Sequence, residues 1–218
     1  HRFEMPPALH ARLGQRCQAL GMTPFVVLSS AYALLLSYFS AKQDLVIGTP
    51  VDNRQSLASQ SLIGFFANTL ALRFQLQPTA TVADLLEQTR SRLIHGLSHQ
   101  ELPFERVIEH LQPDRALSHS PLFQHMFVME QGDEATLVLD GVRVTAAPPG
   151  DRAAKFDLTL SMRASGGTLQ GSLEFARDLF TATTAAQLAD AYVAVVEALL
   201  DDPSRRLDAL APRWPQPS

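Results

Sequence analysis

The sequence predicts an α/β fold in which helices pack against a mixed β-sheet. Three observations carry this reading. Segments of helical period alternate with β-rich runs along the chain. The runs at 45–51 and 63–74 are almost wholly apolar, as strands buried on both faces are. Further on, Asp140-Gly141 and Gly166-Gly167 each divide two β-rich stretches, the pattern of antiparallel hairpins. The resulting order is helix, helix, strand, strand, helix, helix, strand, hairpin, hairpin, helix, which suits helices laid on one sheet.

Taken in order, Pro6-Pro7 precede a helix over about 8–20, stopped by Gly21. Its apolar face is Leu9, Leu13, Cys17 and Leu20. Thr23 and Pro24 supply an N-cap and a first-turn proline for a second helix over about 24–39. That helix is apolar nearly all round, which places it in the interior. Leu45–Val51 reads as a buried strand, Asp52–Ser61 as a polar loop and Ile63–Phe74 as the next buried strand. Thr81 with Asp84 forms a capping-box pattern that opens a helix over about 82–97, with Val82, Leu85, Leu86, Leu93 and Leu97 inward. Pro103 starts a short helix to about Leu111, burying Val107, Ile108 and Leu111. Pro121–Met129 reads as a strand. Thr136–Leu139 and Val142–Thr145 form the first hairpin, and 146–154 a proline-containing loop. Phe156–Ala164 and Thr168–Ala176 form the second. A last helix runs from about Thr184 to Leu200 and ends at Pro203. The proline-rich stretch 204–218 reads as an interdomain linker, leaving 1–203 as the folded unit.

Composition excludes several function classes. A net charge of −4 and a pI of about 6.0, with scattered basic residues, leave no nucleic-acid footprint. Cys17 is the single cysteine, so no intrachain disulfide forms, and no ligand cluster surrounds it in sequence. The longest apolar run, Phe25–Phe39, has 15 residues interrupted by serines, short of the roughly 20 that span a bilayer. The amino-terminal stretch is polar and unlike a signal peptide. Together these features lead us to expect a cytoplasmic protein with no membrane partner. The charged fraction of 18% is low for a fully solvated domain and suits a lobe that covers one face with a partner.

Three segments carry a family resemblance. Leu62–Arg73, LIGFFANTLALR, resembles the fifth core motif of condensation domains in nonribosomal peptide synthetases, usually IGFFVNTLVLR. His99–Glu109, HQELPFERVIE, resembles the sixth, HQDLPFEKLVE. Arg115–Phe127, RALSHSPLFQHMF, resembles the seventh, RDLSHSPLFQVMF. They occur in the family's order, and the resemblance runs from about Thr23 to about Leu200. It implies a chloramphenicol-acetyltransferase-like lobe, one arm of a V-shaped pair. These domains also carry His-His-x-x-x-Asp-Gly, which supplies the active-site histidine. The seven histidines here, His1, His10, His95, His99, His110, His119 and His125, include no adjacent pair. The chain thus resembles the C-terminal half of a condensation domain without the catalytic half, and no catalytic residue or metal ligand is assigned within it.

Asn68 stands alone in an apolar run. A buried amide without partners costs about 1–3 kcal/mol, so the chain is either satisfying it or using it. Strand alternation would put it on one face with Gly64, Phe66, Leu70 and Leu72. The resemblance implies that Asn68, Gly64 and Phe66 border the channel where two thioester substrates meet; the alternative is a structural amide tying the sheet to neighbouring backbone. Arg54 follows Thr49-Pro50-Val51-Asp52-Asn53, similar to the family's GTPVAxR. It either pairs with an acid at the channel rim or on the other lobe, or is a surface loop arginine. His95 and His99 at i,i+4 lack a third metal ligand, so His99 and Gln100 read as satisfying loop backbone. His119, between Ser118 and Ser120, lacks the geometry of a triad and any Gly-x-Ser-x-Gly elbow, and reads as turn chemistry before Pro121.

The resemblance implies amide-bond formation between aminoacyl or peptidyl thioesters held on phosphopantetheine arms. The implied partners are an N-terminal condensation lobe, donor and acceptor peptidyl carrier domains and a downstream adenylation domain, with no cofactor bound by this lobe. Three other readings stand beside it. One is an epimerization-domain relative, against which Phe66-Ala67-Asn68-Thr69 argues. The others are a non-catalytic module that docks carrier proteins, and a coenzyme A acyltransferase on the same fold.

Overall fold

The computed structural model describes residues 1–54, 62–64, 66–113, 120–130, 153–165 and 167–210. Its strands are β1 (Arg2–Met5), β2 (Asp44–Val51), β3 (Asn68–Gln75), β4 (His125–Glu130), β5 (Leu158–Ser165) and β6 (Thr168–Phe175). They form one sheet in the order β1-β6-β5-β4-β2-β3. β4 runs parallel to both neighbours, β2 and β5, while the other pairs are antiparallel, so the sheet is mixed as expected. The helices are α1 (Pro7–Leu20), α2 (Pro24–Ser40), α3 (Val82–Ser98), α4 (Phe104–Leu111) and α5 (Ala182–Asp201).

α2 is the centre of the core. Every residue from Val26 to Leu36 is buried, so the helix contacts protein on all sides. Thr23 caps it, accepting from the Val26 amide at 3.4 Å. Phe127 of β4 packs against α2, its ring 5.2 Å from Phe25 and 6.2 Å from Tyr32. By strand alternation the same sheet face carries Ile47, Leu72, Leu160 and Leu173, all buried. Two tyrosines cross this layer without leaving their hydroxyls unpaired: Tyr32 donates to the Leu158 carbonyl and Tyr192 to the Leu28 carbonyl. Burial pushes both phenols well above their ordinary pKa. The buried Ser30 hydroxyl donates to Thr89 at 2.9 Å, and Thr89 donates to the Leu85 carbonyl, which ties α2 to α3.

α5 is long and apolar enough to cross a membrane. Here its inner face, Leu188, Tyr192, Val195, Val196 and Leu199, is buried in this core. Arg12 and Arg16 of α1 reach its last turn, Arg12 pairing with Asp201 and Arg16 donating to the Asp201 carbonyl. Cations suit the negative end of a helix dipole. Cys17 is buried on the predicted face, and burial pushes its thiol up to about 11. A buried thiol raised in this way carries little thiolate at neutral pH, as structural cysteines do.

Several boundaries differ from the sequence reading. β1 was not expected: four residues at the chain's start give too short an alternation to read. It is admitted by Gly171, where a Cβ would stand 2.2 Å from the Phe3 ring. β3 begins at Asn68, not at Ile63. Its partner β2 ends at Val51, which pairs with Asn68, so the β2–β3 ladder ends there. Ile63, expected in a buried strand, is exposed, as is Leu62 before it. β4 begins at His125, not Pro121; Gln124 instead folds back to donate to the Ser120 carbonyl at 3.0 Å. On α4 no residue is fully buried and Leu111 is exposed, because the helix lies at the sheet's margin and turns only part of its surface inward.

The linker reading from residue 204 is also corrected. The Val82 and Ala83 amides donate to the carbonyls of Arg205 and Pro203, and Leu207 and Leu210 are buried. Residues 204–210 therefore belong to the folded body. The Asp140-Gly141 hairpin, Arg115–His119 and 211–218 lie outside the described residues.

Candidate functional site

Asn68 begins β3 and spends all its donors on backbone. Its Nδ2 donates to the Gln100 carbonyl at 2.8 Å and to the Leu102 carbonyl at 2.7 Å. Its Oδ1 accepts from the Phe104 amide at 3.1 Å. Two carbonyls on one side and an N–H on the other admit only this orientation of the amide. Pro103 precedes α4 at φ −59° and cannot donate. The helix start thus takes its capping acceptor from another strand instead of from its own N-cap. The structural alternative weighed for Asn68 is the one these contacts describe: it ties the fifth motif to the sixth.

The other named residues, Arg54, Gly64 and Phe66, form a second cluster upstream of Asn68 in the chain. Arg54 donates from Nη1 to the Leu62 carbonyl at 2.8 Å and from Nη2 to the Gly64 carbonyl at 3.2 Å. It pairs with Asp52 at 3.2 Å, and its guanidinium lies 4.3 Å from the centre of the Phe66 ring. A planar fork that satisfies two carbonyls and stacks on an aromatic ring is arginine chemistry that lysine does not reproduce. The acid it meets is its own near neighbour. Gly64 and Phe66 are off the strand, so they do not share a pleated face with Asn68; Arg54 gathers them instead.

Beside these clusters runs an aromatic row. Phe104, at the start of α4, lies 5.4 Å from Phe123, and Phe123 lies 5.5 Å from Phe156. The Phe123 ring and the Met126 sulfur fill the space above Gly48. Gly48 and Met126 are register partners on the sheet face opposite Ile47 and Phe127. Segments near residues 48, 68, 104 and 123 therefore meet at the β2–β3 end of the sheet. Sequence reasoning missed the role of Gly48; its position inside a β-run was the available sign of a close approach. Across the same sheet face, away from this row, a polar cleft of about 550 Å³ is lined by Glu4, Glu130, Ser161, Arg163, Gln170 and Ser172. Glu130 and Arg163 pair across it.

His125 was also not singled out. It sits between Ile47 and Leu158 in register, and its Nδ1 is buried without a hydrogen-bond partner among the described residues. Burial lowers its pKa, opposed by Asp157 and reinforced by Lys42. The His95 and His99 rings meet at a tilt with centres 4.7 Å apart, and His99 caps the end of α3, its Nδ1 2.9 Å from the His95 carbonyl. His119 lies outside the described residues.

The Condensation domain family matches residues 1–211 of this chain. The chain belongs to the condensation-domain family. Phosphinothricin tripeptide synthetase PhsC of Streptomyces viridochromogenes is 39% identical over 213 residues, which are 96% of this chain and 19% of that protein. Malpinin synthetase of Mortierella alpina is 45% identical over 170 residues, 78% of this chain and 2% of that protein. Among solved structures, a four-domain nonribosomal peptide synthetase bound to AMP and glycine matches 98% of this chain, with a TM-score of 0.87 and 25% identity, and the match covers 18% of that protein. The X-domain from teicoplanin biosynthesis, solved in complex with OxyB, matches 96% of this chain and 47% of its own, with a TM-score of 0.85 and 28% identity. The chain thus spans a small part of its curated relatives and about half of that X-domain. The condensation-domain fold, chloramphenicol-acetyltransferase-like, accounts for the mixed sheet packed against helices.

Proposed function

We propose that this chain is the C-terminal lobe of a condensation domain and, with an N-terminal lobe, forms amide bonds between carrier-bound thioesters. The observation that carries the reading is that the resembled motifs, distant in sequence, converge at one end of the sheet through Asn68, Phe104 and Phe123. The match to about half of the X-domain supports a second lobe of similar size.

In the proposed reaction the acceptor's free amine attacks the carbonyl of the donor thioester. A C–N bond forms, the C–S bond breaks, and the amine proton ends on the departing thiol. An unperturbed α-amine has a pKa of about 7.7–8.0, so some neutral nucleophile is present near neutral pH. Alignment of two tethered reactants supplies much of the acceleration. A histidine of a His-His-x-x-x-Asp-Gly motif on the N-terminal lobe would move the proton or steady the tetrahedral intermediate. The present lobe supplies one channel wall, at Asn68, Gly64 and Phe66, with Arg54 holding the rim, and part of the carrier-docking surface. The phosphopantetheine arms arrive on donor and acceptor carrier domains, an adenylation domain follows in the chain, and the assembly works in the cytoplasm.

A second reading is a docking module without chemistry, favoured by the similarity to an X-domain solved with OxyB. Mixing this chain alone with loaded donor and acceptor carriers tests the half-domain reading. It predicts no dipeptidyl thioester above the carrier-only background; product well above that level refutes it.

A further inference from the structure

We infer that Asn68 is a positioning residue, acting through the 100–104 segment and not as a hydrogen-bond donor to the reacting groups. The inference rests on the proposed function for its kinetic part and on geometry for the rest. A carboxamide has two N–H bonds. Both are committed, to Gln100 and Leu102, at 2.8 and 2.7 Å. A donor that stabilises a developing oxyanion must point at it without first breaking other bonds. Turning the Asn68 amide towards substrate would strand two carbonyls and leave the Phe104 amide facing N–H groups.

What Asn68 does fix is the start of α4. The Phe104 amide hangs on Oδ1, and the Phe104 ring then covers Phe123, which fills the space above Gly48. One side chain therefore sets the place of an aromatic row that borders β2. Beyond local turn bonds from the Gln100 and Leu102 amides, the segment is held at the surface, with Glu101, Leu102 and Pro103 exposed.

The test uses the complete domain, with both lobes. Hydrogen exchange at the Phe104 amide and turnover with loaded carriers are measured for the wild type, Asn68→Ala and Pro103→Gly. Pro103→Gly frees the backbone before α4 while leaving the Asn68 amide intact. Positioning predicts that Asn68→Ala lowers protection at Phe104 by about tenfold or more, that turnover falls with it, and that Pro103→Gly loses both as well. Two results overturn the inference: Phe104 stays protected in Asn68→Ala, whatever its turnover, or Pro103→Gly loosens the segment at wild-type turnover. The exchange measurement reads the clamp even if the wild-type domain makes no product, a result that would instead sink the amide-forming reading.

Discussion

Phe123 occupies the space above Gly48: a Cβ on residue 48 would stand 2.3 Å from Cε2 of that ring, and 2.5 Å from the Met126 sulfur. Two side chains, one of them a rigid ring buried from solvent, would have to move for any larger residue. Overpacking of this kind costs about 1–3 kcal/mol. Gly48→Ala should therefore lower the urea midpoint, and adding Phe123→Leu should recover part of the loss. Wild-type stability in Gly48→Ala would show that the ring yields freely.

The Ser30–Thr89 contact is a buried polar link between α2 and α3. Thr89→Val removes the acceptor and leaves the Ser30 hydroxyl with one partner fewer, at a cost of about 1–3 kcal/mol. Ser30→Ala combined with Thr89→Val should cost less than the sum of the two single changes, because no orphaned hydroxyl remains. Equilibrium denaturation of the four proteins checks this; strict additivity would remove the coupling.

Leu207 is only 3% exposed, and its backbone donates to the Ala80 carbonyl while its own carbonyl accepts from Tyr38. Leu207→Ala should destabilise the fold by about 2–5 kcal/mol. Ending the chain after Pro203 should do at least as much. A truncated chain as stable as the whole would restore the linker reading for 204–210.

His125 gives a sign to the pH dependence. Its folded-state pKa lies below the ordinary 6.5, chiefly through burial. The unfolded chain then binds more protons as pH falls from about 6.5 towards the folded value, so the stability this residue permits is full above about pH 6.5 and is lost below it. His125→Leu should flatten that decline relative to the wild type, read as the difference in denaturation midpoint between pH 7 and pH 5.5. Parallel declines in the two proteins would show that His125 is not responsible.

The sequence carried most of the architecture because its signals were local. Thr81 and Asp84 announce a capping box, and both of its hydrogen bonds form; Thr23 announces a cap and makes it. α2 announces burial by having no polar face. What it concealed depends on distant partners. The end of β2 at Val51 determines where β3 can begin, so apolar content alone placed Ile63 in a strand it does not join. Asn68 looked exceptional in its run, yet the carbonyls it serves lie more than thirty residues away. Gly48, His125 and β1 became meaningful only when Phe123, the sheet interior and Gly171 came beside them.

The exposed Leu62, Ile63, Leu102 and Leu111 leave apolar side chains in water. If the other lobe covers this region, sedimentation of the chain should shift when that lobe is added, or show self-association as concentration rises. A chain that stays monomeric and ignores the lobe would favour the self-sufficient docking module.

Reconstitution tests the central claim most directly. This chain is combined with an N-terminal lobe bearing His-His-x-x-x-Asp-Gly, and dipeptidyl thioester is measured by mass spectrometry with loaded donor and acceptor carriers. The account predicts product from the two lobes together and none above background from either alone. Product from this chain by itself, or none from a correctly assembled pair whose carriers are loaded, would contradict it.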